Sequence, residues 1–310
     1  MTTECRAGKL PTLKIFYSIP QTGGSTVRCF LEDYYKNDNS LVKDYQGEKH
    51  LDGLIDTLVL HNPSPVHKLT ARPCRYVTLL REPIAANISE YFWIRTCKNT
   101  HLSFEEYFDI MPDCYNPFCR WLISLEDDTP FWGAPVNPHF LFTPEHYKKR
   151  LDEDELVRRA EAIIAKHFDF VGISEHFSDS LFIMAVYFYG WDSLPVWVRT
   201  NPSARPMGWR DEQISPAIKD KIARACRADI LLYRRCLAAF EPLARSVARK
   251  FGGLLDEYRE MCDQRDAAEA QIRQLKLEIG VEKGSEIYHW TDMVGRDRQD
   301  PGLVLPARPA

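Results

Sequence analysis

The residue types best suited to chemistry form a glycine turn near the start of the chain. Residues 20–26 read PQTGGST and follow an apolar run at 14–19. Glycines let backbone N–H groups approach a phosphate closely, and the N-terminus of a following helix adds partial positive charge. The hydroxyl groups of serine and threonine add hydrogen-bond donors. The turn predicts a phosphate-binding loop that comprises Gln21, Thr22, Gly23, Gly24, Ser25 and Thr26.

Other interpretations of this turn remain open. An ordinary strand-to-helix turn also accounts for the glycine pair, with Ser25 as the cap of a helix that runs to Tyr35. The lysine-bearing loop G-x-x-x-x-G-K-[ST] of ATPases and GTPases does not occur in the sequence. A small-molecule kinase would therefore need a degenerate phosphate loop.

A second candidate anion site begins at the end of another apolar run. Arg81 directly follows the run at 76–80, and Ser89 lies about two turns into the helix predicted at 84–95. Arginine presents a rigid fork suited to a phosphate, and serine can donate a second hydrogen bond. The pair predicts a phosphate clamp, although a strand end of this kind is on its own typical of a surface turn.

A candidate general base follows a further apolar run. His61 comes directly after the run at 57–60. Imidazole suits proton transfer because its pKa lies near neutral pH. A histidine that only caps a strand end gives the same pattern. The substitutes for the base role are His67, Glu90 and Glu175.

Parallel strands would bring these side chains to one edge of a sheet. Short apolar runs alternate with segments of helical periodicity, which favours an α/β fold with crossover helices. The predicted strands are 14–19, 57–60, 76–80 and 168–172, and further helices are predicted at 103–110, 117–125, 152–167 and 215–250. In such sheets ligands bind outside the carboxyl ends of the strands, where Gln21, His61 and Arg81 lie.

The chain divides into three segments. We predict an α/β domain at 1–250, an amphipathic helix at 251–280 and a polar, flexible tail at 281–310. The heptad positions of the helix are Leu254, Tyr258, Met261, Arg265, Ala268, Ile272, Leu275 and Ile279. This spacing predicts either a helix that lies on its own domain or a coiled coil that joins two copies as a homodimer.

Composition limits the class of protein. The net charge of −4 argues against a general nucleic-acid binder. Nine cysteines occur without a C-x-x-C pair, which favours reduced thiols and a cytoplasmic location. The first nine residues lack an apolar run, and no stretch approaches about 18 uninterrupted apolar residues, so we expect neither a signal peptide nor a membrane span.

The two loops together resemble the nucleotide signatures of the sulfotransferases that use 3′-phosphoadenosine 5′-phosphosulfate (PAPS). The resemblance is to the carbohydrate branch, which includes heparan sulfate 2-O-sulfotransferase-like enzymes. That family has a first loop P-K-T-G-G-[ST]-[ST], matched at 20–26, and a segment R-[DE]-P…S-x-Y, matched at 81–83 and 89–91. Supporting similarity occurs at 116–122, 170–175 and 229–233, so the resemblance runs in order from about 14 to 240.

The resemblance implies a P-loop-like parallel sheet flanked by helices, with a helical C-terminal extension, and transfer of a sulfuryl group from PAPS to an acceptor hydroxyl. It implies that Gly23 and Gly24 cradle the 5′-phosphosulfate and that Arg81 with Ser89 clamps the 3′-phosphate. His61 is implied as the general base, although the glycine that precedes the family's histidine is missing here. The released product is 3′-phosphoadenosine 5′-phosphate (PAP), and the scheme requires no metal.

Two further expectations concern a late loop and the acceptor. Asn201 and Arg205 lie where the family has a loop that closes over the nucleotide. The implied acceptor is a carbohydrate or a glycosylated molecule. Tyr91, Phe92 and Trp93 could stack on a sugar ring, with a place in the core as the alternative for Phe92.

One position departs from the family pattern. Gln21 stands where the family has a lysine that stabilises the departing oxygen of the nucleotide. Glutamine brings no charge, and charge-assisted hydrogen bonds are roughly twice as strong as neutral ones. The candidates for a replacement cation are Lys14, Arg28 and Lys68. Without a replacement, the chain is a slower enzyme or a catalytically impaired scaffold that binds PAPS or PAP.

Overall fold

The computed structural model describes residues 11–36, 41–43, 51, 55–61, 64–98, 102–111, 115–126, 152–199, 214–278 and 303–304. The predictions for Asn201, Arg205 and Ile279 lie outside the described residues, as does most of the segment at 281–310.

A parallel five-stranded sheet lies at the centre of the described chain. Its strands are β1 (Leu13–Tyr17), β2 (Leu41–Lys43), β3 (Thr57–Leu60), β4 (Cys74–Leu80) and β5 (Phe168–Ile173). They pair in the order β2-β3-β1-β4-β5. The α/β fold and four of these strands are therefore confirmed. Because helices cover both faces of a parallel sheet, β1 and β3 are almost continuously apolar and buried.

Helices connect and flank the strands. They are α1 (Gly24–Tyr35), α2 (Val66–Leu69), α3 (Pro83–Lys98), α4 (Phe104–Asp109), α5 (Pro117–Ile123), α6 (Glu153–His167), α7 (Phe177–Ile183), α8 (Pro216–Ala225) and α9 (Arg227–Glu278). A π-helical segment, Met184–Tyr189, continues α7. A short antiparallel pair joins β6 (Ser193–Leu194) to β7 (Leu303–Val304).

The N-termini of α5 and α9 cap each other, although they lie more than a hundred residues apart. The Asp229 carboxylate accepts the backbone N–H groups of Phe118 at 2.9 Å and Cys119 at 2.8 Å. The Asn116 side-chain oxygen accepts the N–H groups of Ala228 at 2.8 Å and Asp229 at 3.2 Å. Burial raises the pKa of Asp229 to about 6. The exchange satisfies orphan N–H groups of both helices.

The first part of the predicted amphipathic helix lies on its own domain. The helix α9 is kinked at Gly252, where φ is 28°. Beyond the kink, the Tyr258 ring is buried 6.0 Å from the Phe182 ring, measured between centroids. The Arg259 guanidinium donates to the Asp179 carboxylate at 2.7 Å.

The last turns of the same helix have a different environment. Ile272 and Leu275, both heptad positions, are about half exposed. A coiled coil with a second copy stays a prediction for this end of α9.

Candidate functional site

The turn after β1 lies at the carboxyl edge of the sheet and leads into α1. Gly23 has a left-handed conformation with φ of 95°, and α1 begins at Gly24. The buried Thr22 hydroxyl donates to the Ile19 carbonyl oxygen at 2.8 Å. The prediction that Ser25 caps the helix is wrong, because Gly23 takes the cap position and Ser25 lies within the first turn. That turn contains no acidic residue, so its N–H groups can receive an anion.

Both glycines of the turn are required by their surroundings. A Cβ atom on Gly24 would lie 2.0 Å from the Ser18 hydroxyl oxygen, and one on Gly23 would lie 2.7 Å from Cε2 of Phe177. The positive φ of Gly23 adds strain for any other residue type. The turn is thus held in one conformation between the end of β1 and α7.

We expect Gly24→Ala to lower the free energy of unfolding by about 1–3 kcal/mol, because the added methyl group overpacks the turn against Ser18. Gly253→Ala is the matched control. Apart from its chain neighbours and its own helix backbone, no described atom lies within 4 Å of a Cβ at Gly253. Alanine in a helix is about 0.5–1 kcal/mol more favourable than glycine. Urea denaturation compares the two variants, and equal stabilities would contradict the close packing.

Gln21 connects the two predicted anion-binding segments. It has a positive φ of 65° although it is not glycine. Its carbonyl oxygen accepts a hydrogen bond from Nη1 of Arg81 at 3.2 Å, and its Oε1 atom accepts one from the Ser89 hydroxyl at 3.1 Å. The structure therefore brings Gln21, Arg81 and Ser89 together at the carboxyl ends of β1 and β4.

The three candidates for a replacement cation have other partners. Lys14 lies near the amino end of β1 and pairs with Asp56. Lys68 lies in α2 and pairs with Glu126. Arg28 lies about one turn into α1, and its guanidinium pairs with a carboxylate of the same helix at 2.8 Å. The cation that contacts Gln21 is Arg81, a residue that sequence reasoning assigned only to the 3′-phosphate.

The end of β5 supports the same edge of the sheet. The Ser174 hydroxyl donates to the Thr22 carbonyl oxygen at 2.7 Å. The Glu175 carboxylate accepts the Glu82 backbone N–H and the Tyr233 hydroxyl, each at 2.9 Å. One carboxylate oxygen of Glu175 accepts each of these bonds, so the residue links the ends of β4 and β5 to α9. Because both oxygens already have donors, Glu175 is a weak substitute for His61 as general base.

His61 lies at this edge as well. It directly follows β3, whose Leu60 carbonyl oxygen accepts the Ser18 backbone N–H at 2.8 Å. The residue is half-buried, and its Nε2 atom is inside the protein. An acceptor hydroxyl would therefore have to reach the exposed side of this residue. The role of His61 as general base stays a prediction.

Glu90 is buried next to Ser89, a residue of the predicted phosphate clamp. The Tyr115 hydroxyl donates to its carboxyl group at 3.3 Å. Burial raises the pKa of Glu90 to about 8, so this group is protonated and neutral at pH 7. A buried group that already carries its proton cannot act as a base, which weakens Glu90 as a substitute for His61.

The buried acid gives stability a pH dependence. From about pH 6.5 to 7.5 the folded chain keeps most of a proton on Glu90 that the unfolded chain has lost. The free energy of unfolding should therefore fall as the pH rises, by at most about 1.4 kcal/mol per pH unit from this group. Glu90→Gln should remove that component, and Glu105→Gln, on the exposed face of α4, should keep it. Urea denaturation across this window measures the slope, and an unchanged slope in Glu90→Gln would contradict the assignment.

The candidate sugar-stacking aromatics lie mainly in the core. Tyr91 and Phe92 are each only 1% exposed, so the core alternative for Phe92 is confirmed and Tyr91 shares it. Trp93 is half-buried. Of the three, Trp93 alone keeps surface that an acceptor could contact.

The fold and these contacts define an α/β protein with a candidate anion-binding edge. The donors at this edge are the N–H groups that follow the glycine turn, the guanidinium of Arg81 and the hydroxyls of Ser25 and Ser89. This donor set fits phosphate or sulfate groups. Comparison with protein-family models found none that matches the chain, and comparison with curated proteins found no matching relative. None of the helices in the described part of the chain combines the length and apolar character needed to cross a membrane.

Proposed function

We propose that this chain is a PAPS-dependent O-sulfotransferase with a P-loop-like sheet, acting on a hydroxyl of a carbohydrate or glycosylated acceptor. The observation that carries the proposal is the contact of Gln21 with both Arg81 and Ser89. This contact joins the two segments that resemble the family's nucleotide signatures. The chemistry of the donors at this edge supports the same conclusion.

A nucleotide with phosphate groups at both its 3′ and 5′ positions suits this donor set. The N–H groups in the first turn of α1, with the hydroxyls of Ser25 and Thr26, would hold the 5′-phosphosulfate. Arg81 and Ser89 would hold the 3′-phosphate and exchange their bonds to Gln21 for bonds to its oxygens. Asn201 and Arg205 stay predictions for the closing loop.

The proposed transfer is an in-line displacement. The acceptor oxygen forms a bond to sulfur while the bond between sulfur and the bridging oxygen breaks. The hydroxyl proton passes to His61, and the electron pair of the broken bond stays on the 5′-phosphate of PAP. Gln21 donates an amide hydrogen to that leaving oxygen and so stabilises the negative charge that develops there.

One observation favours a second candidate, a scaffold that binds PAPS or PAP with impaired catalysis. Gln21 brings no charge to the position where the family has lysine, and its side chain is bonded to Ser89. This candidate predicts nucleotide binding without turnover.

Transfer from PAPS labelled in its sulfur, offered with a panel of carbohydrate acceptors, tests the proposal. A parallel reaction with γ-labelled ATP and Mg²⁺ tests a small-molecule kinase. Sulfated product is the expected result. Bound nucleotide without transfer to any acceptor would favour the scaffold, and phosphorylated product would replace the proposal with a kinase.

We also infer a cytoplasmic location and a hydroxyl-bearing acceptor from the same resemblance and composition. A homodimer through residues 251–280 would rest on the exposed apolar positions Ile272 and Leu275.

A further inference from the structure

Three metal-ligating side chains converge away from the candidate active site. His67 lies in α2, Glu126 follows α5, and His167 ends α6, and one ligand atom from each lies within 4.8 Å of the others. Nε2 of His167 contacts Oε1 of Glu126, and Nε2 of His67 lies 3.7 Å from the same oxygen. The centroids of the two imidazole rings are 4.3 Å apart. Three segments that are distant in sequence thus direct one ligand each to a common point.

We propose that the cluster of His67, Glu126 and His167 binds a zinc ion. Two imidazoles and one carboxylate are a known ligand set for zinc, with water as the fourth ligand. Metal–ligand distances of about 2.0–2.2 Å place tetrahedral ligand atoms about 3.3–3.6 Å apart. The observed spacing therefore needs an adjustment of roughly 1 Å, which side-chain rotation can supply.

Tyr76 holds His67 in the orientation that a metal needs. The Tyr76 hydroxyl oxygen accepts the His67 backbone N–H at 3.1 Å and lies 3.1 Å from Nδ1 of the same residue. Nδ1 therefore has a partner outside the cluster, and Nε2 is the nitrogen directed at Glu126.

Two lysines compete with a metal for the same carboxylate. Nζ of Lys166 lies 2.6 Å from Oε1 of Glu126, and Nζ of Lys68 lies 3.6 Å from Oε2. An ammonium group and a divalent ion repel each other. The Lys166 side chain is 64% exposed, so it can turn into solvent when a metal binds. Removing this lysine should therefore strengthen metal binding.

The metal cluster does not depend on the proposed function. His167 directly precedes β5 and Tyr76 lies near the start of β4, whereas Arg81 follows the end of β4. About 17 Å of strand separates Tyr76 from Arg81. A metal here would tie α2, the end of α5 and α6 together, and its binding would raise the stability of the folded chain. PAP binding and zinc binding should therefore fail or succeed separately.

Titration of the untagged full-length chain with Zn²⁺ and Co²⁺ tests the proposal. We expect one equivalent of Zn²⁺ by calorimetry, a melting temperature raised by a few degrees, and a cobalt spectrum without the thiolate charge-transfer band that cysteine ligands give. His167→Gln and Glu126→Gln should each weaken binding at least tenfold. His176→Gln, a histidine 3.9 Å from Asp179 and outside the cluster, should bind like the unaltered chain.

Lys166→Gln keeps the test decisive if a ligand variant fails to fold. We expect zinc to bind several-fold more tightly to this variant. Lys221→Gln is its control, since it removes a comparable surface ion pair with Asp109 at 3.0 Å, and should leave the affinity unchanged. The proposal is overturned if the unaltered chain binds no zinc, if the folded ligand variants bind it equally well, if only thiolate bands appear, or if Lys166→Gln does not tighten binding.

Discussion

Replacing Arg81 with alanine should weaken the binding of PAP about a hundredfold. A hydrogen bond to a charged group is worth about 1.5–3 kcal/mol, and each 1.4 kcal/mol is a factor of ten in affinity. The substitution also removes the bond from Nη1 of Arg81 to the Gln21 carbonyl oxygen, which connects the strand end to the glycine turn. Isothermal titration calorimetry with PAP measures the change.

Arg75→Ala is the matched control for this variant. Arg75 lies on the same strand, β4, but near its amino end, where it pairs with Asp169 at 3.0 Å and is 43% exposed. Its loss should leave PAP affinity within about twofold, because surface ion pairs contribute little. If Arg81→Ala binds PAP as tightly as Arg75→Ala, Arg81 does not hold the 3′-phosphate.

His61→Ala should lower turnover by about 10²–10⁴-fold while PAP binds with near-normal affinity. General base catalysis is worth about that factor, and the base contacts the acceptor rather than the nucleotide. Initial rates of sulfuryl transfer at saturating PAPS, with calorimetry of PAP on the same preparation, separate the two effects.

His176→Ala is the control for the base assignment. His176 lies beyond the end of β5, 5.6 Å from the Phe240 ring between centroids, and is not part of the proposed site. Its loss should leave turnover unchanged. Unaffected turnover in His61→Ala would contradict the base role, and a joint loss of turnover and PAP affinity would assign His61 to nucleotide binding instead.

Four strands and the candidate site residues at their carboxyl ends could be predicted from the sequence, because each depends on a short local segment. Apolar runs of four to six residues predict β1, β3, β4 and β5, because a parallel sheet buries both faces. The glycine pair at 23–24 and the arginine at 81 then fall at the carboxyl edge by the geometry of parallel strands alone. The position of His61 at this edge follows from the same rule.

Contacts between distant segments could not be predicted in this way. The exchange of caps between Asn116 and Asp229 depends on the packing of α5 against α9. No pattern within either helix indicates that a distant side chain will accept its N-terminal N–H groups. The bond from Arg81 to the Gln21 carbonyl oxygen depends on a positive φ at a residue that rarely adopts one. Residue type favours Ser25 as the cap of α1, but the left-handed Gly23 takes that position.

We infer that the carboxyl edge of the sheet recognises a nucleotide by its 3′-phosphate. Calorimetric titration with PAP, with AMP and with ATP tests it most directly, because AMP differs from PAP only in lacking that phosphate. We predict tight binding of PAP, much weaker binding of AMP and no preference for ATP. Equal affinities for PAP and AMP, or tighter binding of ATP, would contradict the assignment of Arg81 and Ser89 and with it the sulfotransferase proposal.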